Sequence, residues 1–135
     1  MMKKGLVLGA VLGLSACLQQ GAARSFDDPA VQQLFTMSTP MYYANLTVAN
    51  AVAQNCSRYR YDAALDSTLN EARNEMGRGS LAANALRDAI ELETDVSRRS
   101  FEAKHGVALT GGDLCAAGDA ETLEGSALSA LLIPV

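Results

Sequence analysis

Apolar residues recur at helical spacing along most of the chain, and no stretch shows a convincing alternation with the period of two that marks a strand. Each apolar run follows a capping residue or a turn and stops near a glycine or a proline. The runs cover about 28 to 40, 41 to 59, 62 to 77, 80 to 105 and 113 to 132. This pattern predicts an all-α fold, a small bundle of four to five helices.

Start signals are clearest at three of these runs. Asp28 with Pro29 is expected to open the first helix, Asp62 the third, and Ser80 the longest one, which runs to about His105. The predicted inward faces are Leu46, Ala49, Ala53 and Cys56 in the second run, Leu65, Leu69, Ala72 and Met76 in the third, and Ala82, Leu86, Ala89, Ile90, Leu92, Val96 and Phe101 in the fourth. Each face is expected to line one core.

The N-terminus has the form of a secretory signal. Lys3 and Lys4 precede twelve apolar or small residues, 5 to 16. This run is too short for a membrane span, which needs about 20 apolar residues. We therefore expect export, with a signal peptide at 1 to 16, a lipidated cysteine and tether at 17 to 27, and a single helical domain at 28 to 135.

The signal ends in Leu14-Ser15-Ala16-Cys17, which resembles the bacterial lipobox, where cleavage leaves a lipid-modified cysteine at the new N-terminus. Lipidation of Cys17 would anchor the domain to a membrane, and Leu18 after it resembles an outer-membrane sorting signal. The alternative is ordinary cleavage after 21 to 23, which would release a periplasmic protein beginning at Arg24.

Cys56 and Cys115 remain as a pair once Cys17 is assigned to lipid. Export favours a disulfide between them over free or reactive thiols. Since 58 residues lie between the two cysteines, the bridge would constrain the unfolded chain by roughly 4 kcal/mol.

The charge balance excludes one class of partner. Without Lys3 and Lys4, 9 of the 11 basic side chains and all 15 acidic ones remain, a net charge of −6. Because phosphate backbones require a basic surface, nucleic acid is not an expected partner.

Two groups of residues could carry chemistry. His105 is the only histidine, and its position before Gly106 at a predicted helix end favours a helix-capping or surface role over catalysis. Asp88, Glu91 and Asp95 share one helix stripe, which is typical of a solvated face but would also suit acid-base chemistry or a hard cation. We predict no catalytic residue, metal site or cofactor.

Tyrosines and arginines cluster at the two ends of the second run. Such aromatic and cationic residues are favoured at protein interfaces, although packing over a core without tryptophan is the stronger interpretation. The candidate interface residues are Tyr42, Tyr43, Arg58, Tyr59, Arg60 and Tyr61.

Several short motifs of this chain resemble those of a known protein family. They are Asn55-Cys56, the stop at Lys104-His105-Gly106, Leu114-Cys115 followed by Gly118, and the closing Leu131-Leu132. Together they resemble a family of small exported alphaproteobacterial proteins defined only as a domain of unknown function. The resemblance implies an exported, helical, cysteine-paired protein and carries no activity.

The preferred functional hypothesis is a non-enzymatic binding or scaffold module of the cell envelope, with an envelope protein as its partner. The alternative is a small periplasmic inhibitor of a hydrolase, which the acidic charge and the paired cysteines favour. An enzyme using the carboxylates near Glu91 comes third.

Overall fold

Six α-helices make up most of the described chain, which in this computed structural model comprises residues 24 to 135. They are α1 (Pro29–Thr36), α2 (Thr39–Gln54), α3 (Ala63–Glu75), α4 (Ser80–Ala85), α5 (Arg87–His105) and α6 (Cys115–Glu124), followed by a 3-10 helix (Ala127–Leu131). The all-α prediction is confirmed. The predicted signal peptide, Cys17 and most of the predicted tether lie outside the described residues.

Two of the predicted helix starts are confirmed by their capping contacts. The Asp28 carboxylate accepts hydrogen bonds from the backbone N–H groups of Ala30 and Val31, with Pro29 in the first turn of α1. The Asp62 carboxylate accepts one from the N–H of Leu65 at the start of α3. These bonds satisfy donors that a helix N-terminus otherwise leaves unpaired.

The third predicted start is wrong, because the run from 80 to 105 is two helices and Ser80 does not cap it. Ser80 is the first residue of α4, and its N–H donates to the side chain of Asn74 at 2.9 Å. The helical path breaks at Leu86, and α5 begins at the next residue, Arg87. The break lets α4 pack beside α2 and α3 while α5 runs along α2.

The predicted inward face of this run is also largely wrong. Phe101 is buried, but Leu86, Leu92 and Val96 are exposed. The core instead lies between α2 and the C-terminal segment, because the 3-10 helix is buried at all five residues. The main core side chains are Val31, Leu34, Tyr42, Val48, Val52, Leu65, Leu69, Leu114, Leu128, Leu131 and Leu132.

A short two-stranded sheet is the element that the apolar pattern did not predict. Strand β1 (Tyr59–Tyr61) pairs antiparallel with β2 (Leu132–Pro134), with Arg60 opposite Ile133. The second predicted helix therefore ends earlier than expected, at Gln54. The helix α6 ends at Glu124, and Gly125 after it has a positive φ of 65°, which glycine adopts without a steric penalty.

Arg73 is a fully buried cation that joins two helices. From α3, its Nη1 donates to the carbonyl oxygens of Phe35 at 2.6 Å and Met37 at 3.0 Å, at the C-terminal end of α1. Its guanidinium also lies 4.2 Å from the ring centre of Tyr42. Arg73 thus satisfies carbonyl groups that the end of α1 leaves without intrahelical donors.

Candidate functional site

A cleft of about 250 Å³ opens between α2, α5, α6 and the 3-10 helix. Its walls combine apolar side chains with two carboxylates and one ammonium group. The lining residues are Asn45, Val48, Glu93, Val96, Ser97, Ser100, Phe101, Lys104, Glu121 and Leu128. A volume below the 300 to 1,000 Å³ that is usual for small-molecule pockets suits one side chain or a small ligand.

One end of the cleft is closed by a cluster of charged groups. Lys104 Nζ donates to Glu121 Oε1 at 2.8 Å and to Glu124 Oε2 at 2.6 Å, and His105 Nε2 lies 2.6 Å from the same Glu121 oxygen. Burial raises the pKa of Glu121, but its hydrogen bonds, that from Lys104 foremost, outweigh this and leave the pKa below its usual value. The carboxylate is therefore ionised at neutral pH, and the cluster fixes α5 to α6.

His105 has the helix-terminal position that the sequence predicts, as the last residue of α5 before Gly106. Its side chain is nevertheless buried and hydrogen-bonded to Glu121, with its ring 4.5 Å from the Phe101 ring and tilted by 53°, so a surface role is wrong. No local pattern predicts this pairing, because Glu121 lies 16 residues further along the chain and on another helix.

The acidic stripe of α5 consists of surface carboxylates. Asp95 forms ion pairs with Arg98 at 2.7 Å and Arg99 at 2.6 Å, and the hydrogen bond from Arg98 is the main cause that lowers its pKa. Asp88 and Glu91 form no ion pair with any described residue. The arrangement fits the solvated face that the sequence favours.

The described residues also offer no metal site built on that stripe. Only Cys56, Asp113 and Cys115 bring potential ligand atoms together among residues 24 to 135, within 4.8 Å of one another. Both of these sulfur atoms belong to a disulfide and are not thiolate ligands.

The outward side of α5 exposes apolar residues between these carboxylates. Leu92 is 67% exposed and Val96 47%, and Val96 also lines the cleft. Leu92 lies one helical turn from Asp88 and from Val96. We call Asp88, Glu91, Leu92, Asp95 and Val96 the outer face of α5.

The tyrosines proposed for an interface pack inward instead. Tyr42 is fully buried, and its hydroxyl donates to Asp66 Oδ1 at 3.1 Å, while Tyr61 donates to Oδ2 of the same carboxylate at 2.9 Å. Burial raises the pKa of both phenols. Tyr43, half-buried, donates to the side-chain oxygen of Asn70.

The candidate interface residues that follow the end of α2 are divided between the core and the surface. Tyr59 is buried and its hydroxyl donates to Asp119 Oδ1 at 2.7 Å, while the exposed Arg58 pairs with Oδ2 of Asp119 at 2.8 Å. Arg60 points outward between two inward strand neighbours. The six residues therefore do not form one surface, and the packing interpretation describes the tyrosines.

The disulfide between Cys56 and Cys115 is present, as predicted. Cys56 follows the end of α2, Cys115 begins α6, and their Cα atoms are 4.9 Å apart. Beside it, the N–H of Leu114 donates to the carbonyl of Asn55 at 3.0 Å. A buried disulfide is typical of an oxidising, exported compartment.

No helix among residues 24 to 135 has both the length and the hydropathy to cross a membrane. Comparisons with protein-family models, curated proteins and solved structures found no significant match to this chain. The family resemblance of the cysteine and glycine motifs accordingly stays a prediction.

Proposed function

We propose that this chain is exported to a bacterial cell envelope and held there by lipid on Cys17. The basic start, the apolar run from 5 to 16 and the lipobox-like residues that end at Cys17 support this address. The disulfide supports it independently, because such bridges persist outside the reducing cytosol.

The intact mass of the protein from its native membrane tests the anchor. We expect a chain that begins at Cys17 and carries acyl groups, and a gain of two hydrogen atoms on reduction of the single disulfide. Because two or more acyl chains hold a domain firmly on a bilayer, the protein should also sediment with membranes. An unlipidated mass beginning near Arg24 would contradict the anchor and indicate a periplasmic protein.

Within that compartment, we infer a binding module rather than an enzyme. The single observation that carries this inference is the outer face of α5, where Leu92 and Val96 are exposed and no element within residues 24 to 135 covers them. Groups suited to catalysis are engaged internally, since Lys104 and His105 both bind Glu121. Leu92 and Val96 lie one helical turn apart, the spacing at which a partner can lay its own apolar residues across a helix.

Site-specific photocross-linking in living cells tests this surface. We expect a photoreactive amino acid at Leu92 to trap one discrete protein partner. The same amino acid at Leu123, 90% exposed on α6, is the matched control and should give only a background of abundant neighbours. Identical adducts from both positions would contradict a specific partner on α5.

The hydrolase-inhibitor hypothesis is the second candidate. Asp88, Glu91 and Glu93 favour it, since none of these carboxylates forms an ion pair with a residue between 24 and 135. An acidic surface of this kind attracts basic proteins and accelerates their association at low salt. The identity of the partner trapped through Leu92 separates the two candidates, because an inhibitor would be cross-linked to a basic hydrolase and a scaffold to a non-catalytic envelope protein.

A further inference from the structure

We propose that the cleft between α2 and α5 receives a lysine or arginine side chain of a partner protein that lies on the outer face of α5. The inference rests on the proposed binding function and names the chemistry that the partner presents. Val96 connects the two parts, since it belongs to the outer face and also lines the cleft.

The walls of the cleft suit the stem of such a side chain. Val48, Val96, Phe101 and Leu128 form its apolar lining. Lysine and arginine side chains pack their methylene groups against apolar surfaces of this kind, while their charged groups stay in a polar environment. The volume of about 250 Å³ holds a side chain more readily than a drug-sized molecule.

The charges of the cleft favour a cation beside Glu93, which lies about 16 Å along α5 from Lys104. Glu93 lines the cleft and forms no ion pair with a described residue, whereas the one cation there, Lys104, is already bound by Glu121 and by Glu124. Of the two carboxylates and one ammonium group that line the cleft, Glu93 alone has no ion-pair partner among the described residues. The hydroxyls of Ser97 and Ser100 add hydrogen-bond acceptors for a guanidinium or ammonium donor.

The outer face of α5 extends this charge pattern and favours a protein as the source of the cation. Asp88 and Glu91 flank the exposed Leu92 without ion-pair partners among the described residues. A basic amphipathic segment would cover Leu92 and meet these carboxylates at the same time. A free amine would contact the cleft alone, and an anionic lipid surface would be repelled.

Selection of peptides from a random displayed library on the purified, disulfide-bonded mature protein tests the proposal. We expect the enriched peptides to share a lysine or arginine next to apolar residues. Glu93→Gln should weaken the best peptide roughly fivefold, because it removes one charge pair that is partly shielded from solvent. Glu75→Gln, an exposed carboxylate on α3, is the control and should leave affinity unchanged.

Three outcomes would overturn the proposal. One is the absence of enriched peptides, or enrichment without basic residues. Another is equal affinity for the wild-type protein and Glu93→Gln. The third is binding of agmatine, a free guanidinium with an aliphatic stem, as tightly as the best peptide, which would assign the cleft to small amines. A specific adduct at Leu92 together with any of these would leave the binding function standing without the cationic side chain.

Discussion

Replacing Cys56 and Cys115 together by serine is expected to lower the free energy of unfolding by about 4 kcal/mol. The bridge joins residues 59 positions apart, so its loss frees a long loop in the unfolded chain. It also ties the end of α2 to the start of α6, on which the core depends. Since small domains are stable by only about 5 to 15 kcal/mol, urea denaturation of the mature protein should show a large fall in the transition midpoint.

Reduction provides the control for this prediction. The wild-type protein in excess reductant should unfold at nearly the same urea concentration as the double serine variant, and the variant should not respond to reductant. A difference below about 1 kcal/mol between oxidised and reduced protein would show that the native contacts, such as that between Leu114 and Asn55, hold these helices without the bridge.

Features set by neighbouring residues were predictable from the sequence. Asp28 and Asp62 cap helices because each carboxylate reaches N–H groups only two or three residues away. The cysteine pairing followed from the compartment and from the small number of candidates. Strand β1 was not predictable, because three residues are too short for a periodic signal and its partner β2 lies at the other end of the domain.

The candidate site was less predictable than the fold, and Leu92 and Val96 show why. Helical periodicity marks an apolar face but does not say whether the same chain covers it, so these residues were assigned to the core. In the structure α5 turns them outward, where they are available to a partner. The cluster of Lys104, His105 and Glu121 was missed for a related reason, since it forms only where side chains at the end of α5 meet Glu121 of α6 in the folded chain.

Replacing Arg73 by alanine is expected to lower the free energy of unfolding by about 3 kcal/mol, from a cavity and from partly buried carbonyls left without donors. The fully buried guanidinium supplies the hydrogen bonds of Phe35 and Met37 at the end of α1, and its pKa is lowered mainly by burial. Urea denaturation gives the stability, and hydrogen exchange should show lost protection in α1.

Two further variants decide which property of Arg73 matters. Arg73→Met keeps most of the volume but not the donors, so it should cost about 1 to 2 kcal/mol if the carbonyl bonds dominate. Arg78→Ala, an exposed arginine a few residues along, is the matched control and should change stability by less than about 0.5 kcal/mol. Because burial of an ion is itself unfavourable, an Arg73→Met protein as stable as the wild type would mean that desolvation of the guanidinium cancels its bonds to Phe35 and Met37. In that case Arg73 would fix how α1 meets α3 without adding to the stability of the domain.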